Sequence, residues 1–287
     1  MNMSSGLDLY LGHFGLQERP FTLLPDPDFL FWSDTHKRAY TMLQYGLATR
    51  APITLITGEV GAGKTTLLHH LLKTLDDDLT VGLVSNVQGG RGDLLRWVLS
   101  AFEQEIPPGA DYVDLFNLFQ MFLIEEYSQG RRVLLMFDEA QNLGRETLEE
   151  LRMFSNINSN KDELLLLVLM GQPELRDLVR QPDLMQFAQR VTASFHLSAM
   201  DEETVDAYIQ HRLDMAGATY RIVSEEACRM IARSARGIPR LVNQLADYSL
   251  VYAASDNQAE VTEQTVRNVL KDGVFFTDAL LLTDAKT

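Results

Sequence analysis

The fold of this chain is decided by residues 53–65, Ile-Thr-Leu-Ile-Thr-Gly-Glu-Val-Gly-Ala-Gly-Lys-Thr. The apolar run Ile53–Thr57 predicts a buried strand, and the residues after Lys64 have the spacing of an apolar helix. Between them, the pattern Gly-x-x-x-x-Gly-Lys-Thr has the strand, loop and helix context that a phosphate-binding loop requires. The alternative is a glycine-rich turn that binds nothing. The stretch therefore predicts a P-loop.

A P-loop holds phosphate mainly through its backbone. Gly61 and Gly63 would let N–H groups turn inward around a β-phosphate, and the helix N-terminus adds a favourable partial charge. Lys64 is expected to reach the β- and γ-phosphates, and Thr65 to place its hydroxyl on Mg²⁺. The predicted ligands are therefore ATP and Mg²⁺. The predicted nucleotide-binding residues are Gly58, Glu59, Val60, Gly61, Ala62, Gly63, Lys64, Thr65 and Thr66.

A second motif follows about 75 residues later in the sequence. The apolar run Val133–Phe137 leads directly into Asp138 and Glu139, which is the pattern of a Walker B strand. Asp138 is predicted to hold the hydration shell of Mg²⁺, and Glu139 to polarise the attacking water. Two adjacent acids at a strand end can also be simple surface polarity. The P-loop upstream favours the catalytic interpretation.

Two amide side chains are predicted at the same edge of the sheet, because the carboxyl ends of parallel strands meet there. Asn86 ends the second apolar run and is a candidate to bind and gate Glu139. Gln172 follows the run Leu164–Gly171 and is a candidate sensor of the γ-phosphate or of the attacking water. Asn is also a common residue at strand ends.

Arginines supply two further candidates. Arg240 stands in the first turn of a predicted helix, after Gly237-Ile238-Pro239, from which a guanidinium could fold over the nucleotide. A surface ion pair is the alternative for Arg240. Arg190 precedes the last predicted strand and is a candidate finger that faces the nucleotide of a neighbouring subunit. Arg176 and Arg180 are its rivals.

The wider pattern predicts an α/β fold, because short apolar runs alternate with segments of helical period. The predicted strands of the parallel sheet are Ile53–Thr57, Val81–Asn86, Val133–Asp138, Leu164–Gly171 and Val191–Leu197. The predicted helices between them are Lys64–Leu75, Asp93–Glu105, Val113–Gln129, Glu146–Ile157 and Pro173–Gln189.

After residue 198 the strand signal stops, and four amphipathic segments predict a small all-helical domain. They are Glu202–Ala216, Glu225–Ala235, Pro239–Ala254 and Glu263–Lys271, with N-caps at Asp201, Ser224 and Thr262. The expected organisation is an N-terminal segment and helix (1–50), an ATPase core (51–198), a helical lid (199–273) and a tail (274–287). A helix is expected from Ser33 to Leu47 in the first of these parts.

The bulk composition limits the function classes. The chain has 287 residues, 46% of them hydrophobic, one cysteine and a formal net charge of −15. This charge opposes indiscriminate binding to DNA or anionic lipid. The longest apolar run, Leu164–Met170, is too short for a membrane-spanning helix, and the N-terminus lacks the pattern of a secretory signal. A cytoplasmic protein is expected.

In this order, the motifs resemble those of AAA+ ATPases with a helical lid. The chain is more narrowly similar to the ExeA, or general secretion pathway protein A, and MshM-like group of AAA+ ATPases. The N-terminal block is the specific part of the resemblance. The matching residues include Phe14-Gly15-Leu16, Pro20-Phe21, Pro25-Asp26-Pro27, Asp138-Glu139-Ala140-Gln141-Asn142-Leu143, Gly171-Gln172-Pro173, Gln189-Arg190-Val191 and Pro239-Arg240-Leu241-Val242-Asn243.

The resemblance implies a nucleotide-dependent homo-oligomer, a hexameric ring or a helical assembly, that hydrolyses ATP. It also implies that ATP hydrolysis remodels or recruits partner proteins during assembly of an envelope secretion, pilus or polysaccharide export system. ExeA carries a membrane span and a peptidoglycan-binding region after its ATPase domain, so direct action on the cell wall is not expected of the residues here. A peripheral location at the inner face of the membrane, through a partner, is compatible with this role.

The same core is also similar to TnsC and TniB, which regulate transposition on DNA. The alternative function is therefore an ATP-dependent regulator that forms filaments or rings on duplex DNA. The acidic composition does not favour it.

Overall fold

The computed structural model describes residues 10–22, 31–76, 78–85, 93–159 and 162–275. These residues divide into two compact units. The α/β unit comprises residues 34–60 and 64–198, and the helical unit comprises residues up to 33, residues 61–63 and residues from 199 onwards. Part of the predicted tail, residues 276–287, lies outside the described residues, as does Pro25-Asp26-Pro27.

The α/β unit is built on a parallel sheet. In the described part of the chain the strands are β1 (Ile53–Gly58), β2 (Leu79–Ser85), β3 (Arg132–Asp138), β4 (Asn158–Ser159), β5 (Asp162–Glu163), β6 (Leu165–Gly171) and β7 (Val191–Leu197). Five of them form the sheet in the order β2-β3-β6-β1-β7, with every neighbouring pair parallel. The short strands β4 and β5 form a separate antiparallel pair. The predicted fold class and its five strands are confirmed.

The three inner strands of the sheet, β3, β6 and β1, are buried on both faces, as the interior of a parallel sheet requires, whereas the edge strands β2 and β7 are only partly buried. In β6, Leu165, Leu167 and Leu169 pack into the core on one face of the sheet. The alternate residues Leu166, Val168 and Met170 pack into the core on the other face. Burial on both faces agrees with the position of this strand in the interior of the sheet, between β3 and β1.

The described helices belong to two groups. The helices before residue 199 are α1 (Leu11–Phe14), α2 (Asp34–Ala48), α3 (Lys64–Lys73), α4 (Asp93–Ala101), α5 (Tyr112–Ser128), α6 (Arg145–Phe154), α7 (Pro173–Val179) and α8 (Met185–Ala188). Helices α2 to α8 belong to the α/β unit, and the others, including α1, belong to the helical unit. The prediction of one helix over Pro173–Gln189 is wrong. Pro182 lacks the N–H and its ring crowds the preceding turn, so the chain breaks there and makes a 3₁₀ turn at Pro182–Leu184.

The helical unit contains α9 (Glu202–Met215), α10 (Glu225–Ser234), α11 (Pro239–Ser255) and α12 (Glu263–Lys271). The side chains of Asp201, Ser224 and Thr262 accept hydrogen bonds from backbone N–H groups three residues later. The three predicted N-caps are therefore present. None of the helices described combines the length and the apolar composition needed to cross a membrane.

The N-terminal residues, expected from sequence to be a segment and a helix over residues 1–50, are divided between the two units. Helix α2 packs with the sheet, whereas Tyr10 and Phe14 are buried in the core of the helical unit. Tyr10 Oη donates to Asp247 Oδ1 at 2.5 Å, and Arg212 Nε donates to the carbonyl oxygen of Pro20 at 2.5 Å. Burial, with Asp247 beside it, raises the pKa of Tyr10. These contacts make residues 10–22 part of the helical unit.

Candidate active site

The glycine loop begins where β1 ends, at Gly58, and α3 begins at Lys64. Gly61 and Gly63 have φ angles of 80° and 96°. These values lie in the left-handed region that glycine adopts without steric cost, so both positions require glycine. The loop therefore has the backbone turn that the motif predicts.

Lys64 is buried over this loop. Its side chain is 5% exposed, and Nζ donates to the carbonyl oxygens of Gly58 at 2.8 Å and Glu59 at 3.0 Å. Burial lowers the pKa of Lys64, and the charges of Glu139 and Asp138 oppose that change. The amine is thus held at the mouth of the loop with carboxylates nearby.

Thr65 and Asp138 meet beside the loop. Thr65 Oγ1 donates to Asp138 Oδ2 at 2.9 Å, and Asp138 is nearly buried at the end of β3. A hydroxyl and a carboxylate are oxygen ligands of the kind Mg²⁺ takes, and Mg²⁺ in phosphate sites is held by one or two side chains besides phosphate and water. The described residues contain no group of three or more acidic, His or Cys side chains placed to hold a metal. The pair fits Mg²⁺ bound together with a nucleotide.

Glu139 follows Asp138 in a strained conformation. Its φ is 55°, in the left-handed region that costs a non-glycine residue about 1–2 kcal/mol. Its backbone N–H donates to Asp138 Oδ1 at 3.0 Å, which helps to hold that geometry. Strain of this kind is often found at functional sites, where the surrounding structure enforces it.

Two amides hold the carboxylate of Glu139. Gln141 Nε2 donates to Glu139 Oε2 at 2.6 Å, and Gln172 Nε2 donates to the same oxygen at 3.2 Å. Burial raises the pKa of Glu139, but these two hydrogen bonds and the charge of Lys64 outweigh it, so the pKa lies below its ordinary value. Glu139 is therefore ionised at neutral pH.

The structure thus brings Gln172 to the predicted edge of the sheet, next to Glu139. Gln141 was not among the predicted site residues. It lies in the 3₁₀ turn Ala140–Asn142, directly after the two acids. An amide side chain two residues beyond the acids, in a turn that folds back on them, is the signal in the sequence that could have identified it. Asn86 lies outside the described residues.

Arg190 lies at the other end of the sheet, where the parallel strands begin. It precedes Val191, which pairs with Ile53, the first residue of β1, so about 20 Å of strand separates it from the glycine loop of its own chain. Its guanidinium donates to the side chain of Asn156 and lies 3.9 Å from Glu163 Oε1. The structure does not bring Arg190 together with the glycine loop of the same chain.

Arg176 and Arg180 lie nearer the loop edge, in and directly after α7. Burial is the main cause that lowers the pKa of His196, and the positive charge of Arg176 is the next. The charges of Lys64 and Arg180 lower this pKa by smaller amounts. Nδ1 of His196 lies 3.0 Å from Oγ1 of Thr57. Both arginines therefore contribute positive charge near the end of β1 in their own chain.

Arg240 is the second residue of α11, in its first turn, and is exposed. Its backbone N–H donates to the carbonyl oxygen of Gly61 at 3.3 Å, and both residues belong to the helical unit. The predicted first-turn position of this arginine is therefore present.

Comparison with known proteins agrees with this geometry. Residues 48–179 match the model of a family described as the AAA domain. Over 245 residues, the chain is 38% identical to General secretion pathway protein A of Aeromonas hydrophila. Residues 48–179 form an AAA domain. The match covers 85% of this chain and 45% of that protein, so the chain spans less than half the length of this curated relative.

Solved structures share the fold of this AAA domain and of the helical unit. Cdc6p of Pyrobaculum aerophilum is 18% identical, with a TM-score of 0.63, over 86% of this chain and 69% of that one. A chain from Drosophila ORC bound to DNA is 13% identical, with a TM-score of 0.68, over 100% of this chain and 70% of that one. These likenesses show a shared fold, which agrees with the match of residues 48–179 to the AAA domain. The resemblance to the secretion protein A group is confirmed.

Proposed function

We propose that this chain is an ATPase that binds ATP with Mg²⁺ and hydrolyses it. The observation that carries the proposal is the meeting of Thr65 with Asp138 at 2.9 Å, beside the buried Lys64 and next to the ionised Glu139. This combination supplies oxygen ligands for a cation, a cation for phosphate and a carboxylate for water at one edge of the sheet. A glycine-rich turn without a ligand has no need of all three.

Each residue has a distinct role in the proposal. Loop N–H groups and Lys64 hold the β- and γ-phosphates, with Gly58 to Thr66 forming the cradle. Thr65 and Asp138 hold Mg²⁺, which when bound neutralises charge on the phosphates. Glu139 orients the attacking water and accepts its proton.

The remaining side chains adjust this centre. Gln172, which already contacts Glu139, detects the γ-phosphate, and Asn86 is a further candidate to gate the same carboxylate. Arg240 contacts the nucleotide from the first turn of α11.

The second part of the proposal is that the site is completed by another copy of the chain. Arg190 supplies a finger to the nucleotide of a neighbouring subunit in a ring, hexameric in the simplest case, or in a helical assembly. Its position at the far edge of the sheet from its own glycine loop supports this, because a finger used in trans needs to lie away from the site of its own chain. Arg176 and Arg180 lie nearer that site.

The relationship to General secretion pathway protein A supports a cellular role in assembly of an envelope secretion, pilus or polysaccharide export system. The oligomer would use ATP hydrolysis to remodel or recruit protein partners of that system. It would act in the cytoplasm, at the inner face of the membrane through such a partner.

The test is phosphate release from ATP with Mg²⁺, measured for the parent and for Glu139→Gln. The substitution keeps the size of the side chain but removes the base, so the variant should bind a fluorescent ATP analogue as the parent does and accumulate as oligomers. Its turnover should fall by about 10²–10⁴, the usual contribution of a general base. Equal turnover in the two proteins would remove Glu139 from the proposed role, and no turnover in the parent would refute the ATPase.

A further inference from the structure

The side chain of Gln141 connects two parts of the site. Its Nε2 donates to Glu139 Oε2 at 2.6 Å, and its Oε1 accepts from the backbone N–H of Gln172 at 3.0 Å. Gln172 closes the triangle by donating from Nε2 to Glu139 Oε2 at 3.2 Å. One amide thus uses its donor on the carboxylate and its acceptor on the residue that follows β6.

Close packing holds this amide in place. A Cβ atom on Gly171 would lie 3.1 Å from the backbone nitrogen of Gln141 and 3.1 Å from its Oε1. Contacts this short are tighter than most real Cβ contacts, so the absence of a side chain at position 171 lets Gln141 lie against the end of β6. The turn that carries Gln141 is closed by Asn142, whose N–H donates to the carbonyl oxygen of Glu139 at 3.0 Å.

We propose that Gln141 is the positioning residue for Glu139, and that it couples the direction of this carboxylate to the end of strand β6. This inference rests on the proposed ATPase function and deepens it. Gln141 fixes Oε2 through a charge-assisted hydrogen bond, so the second oxygen, Oε1, keeps one direction in which to meet water. A free glutamate side chain has several rotatable bonds and would spread over many directions.

The coupling follows from the two ends of the amide. Movement of Gln172 towards a phosphate shifts the N–H that holds Gln141 Oε1, and Gln141 passes that shift to Glu139. The water-orienting carboxylate therefore responds to the residue proposed to detect the nucleotide, through two hydrogen bonds.

Two substitutions separate positioning from simple bracing. Gln141→Ala removes both hydrogen bonds. Gln141→Glu has nearly the same shape and keeps an acceptor for the Gln172 N–H, but it cannot donate to Glu139 and brings a like charge against it. If Gln141 only held the turn against β6, the Gln141→Glu variant would keep its activity, because the bond to the Gln172 N–H remains. If Gln141 positions Glu139, the Gln141→Glu variant loses activity.

The measurement is steady-state phosphate release, giving kcat and KM, with affinity for a fluorescent ATP analogue and thermal melting in parallel. We expect kcat to fall about 10- to 100-fold in both variants, since a misplacement of about 1 Å can cost 10²-fold, with KM and affinity within about twofold of the parent. Gln264→Ala is the matched control, because this exposed glutamine hydrogen-bonds only within α12 by the contacts described for it.

A kcat within twofold of the parent in Gln141→Ala would overturn the inference, as would recovery of kcat in Gln141→Glu. The isosteric variant decides the question even if the alanine variant does not fold. Glu139→Gln, assayed beside them, keeps the two proposals apart. If the parent hydrolyses ATP and Glu139→Gln does not, an unchanged Gln141→Ala refutes only the role of Gln141.

Discussion

Replacing Arg190 by Ala should nearly abolish hydrolysis while leaving the fold almost unchanged. The side chain is about one-third exposed at 32%, and Oε1 of Glu163 is 3.9 Å from its guanidinium. A partly exposed pair at this distance contributes about 1 kcal/mol or less. For a chain of this size that corresponds to a shift in Tm of about 2–4 °C. A finger supplied in trans, by contrast, contributes about 10³–10⁵ in rate.

The assay that distinguishes a shared site from a local defect is a mixing experiment. Arg190→Ala keeps Glu139, and Glu139→Gln keeps Arg190, so each protein alone should be inactive. In a mixed oligomer, a site is complete where an Arg190→Ala subunit supplies Glu139 and its Glu139→Gln neighbour supplies Arg190. With random assembly of equal amounts, about one quarter of the sites are complete, so about a quarter of parental turnover should return.

Arg267→Ala is the matched control for this experiment. It also removes an exposed arginine paired with a glutamate, Glu263, but at a place with no proposed role in hydrolysis. Mixed oligomers that form and remain inactive would refute the trans finger, as would an Arg190→Ala protein with parental turnover. A loss of Tm well beyond 4 °C would indicate that Arg190 is mainly a brace for Asn156 and Glu163.

Three further outcomes follow from the same structure. Lys64→Ala should lose measurable binding of a fluorescent ATP analogue, because the buried amine is the proposed phosphate contact, and retained tight binding would contradict the P-loop assignment. Leu167→Ala should lower the free energy of unfolding, measured in urea, by about 3–5 kcal/mol, because Leu167 is fully buried in the middle of the sheet. Met121→Ala is the control and should change this free energy little, because Met121 is exposed. Gel-shift assays with duplex DNA and ATP should detect no complex at about 0.15 M salt, because the net charge of −15 opposes contacts with DNA phosphates. A complex whose affinity falls steeply with added salt would instead favour the DNA-bound regulator.

The inner strands were predictable because burial on both faces leaves an unbroken apolar run, as in Leu164–Met170. The N-caps were predictable because a single side chain three residues before its partner carries the signal. The break at Pro182 was visible in the sequence, but the helical period on both sides of it favoured one continuous helix. Local patterns therefore predicted the elements better than their interruptions.

The contacts that sequence reasoning missed join residues far apart in the chain. Tyr10 and Asp247 are separated by 237 positions, and Arg212 and Pro20 by 192. No periodicity in the sequence records such pairs, so the sequence did not indicate that residues 10–22 pack with the helical unit. Gln141 was missed for a different reason: its neighbours were near, but its role depends on the direction of a side chain in a 3₁₀ turn.

The central claim is that one nucleotide site needs two copies of the chain. The most direct test is phosphate release per subunit, measured for the unaltered protein across a range of concentrations in which sedimentation detects both monomers and oligomers. Turnover per subunit should be close to zero where monomers dominate and should rise with the oligomer fraction. Constant turnover per subunit, with monomers as active as oligomers, would contradict the shared site.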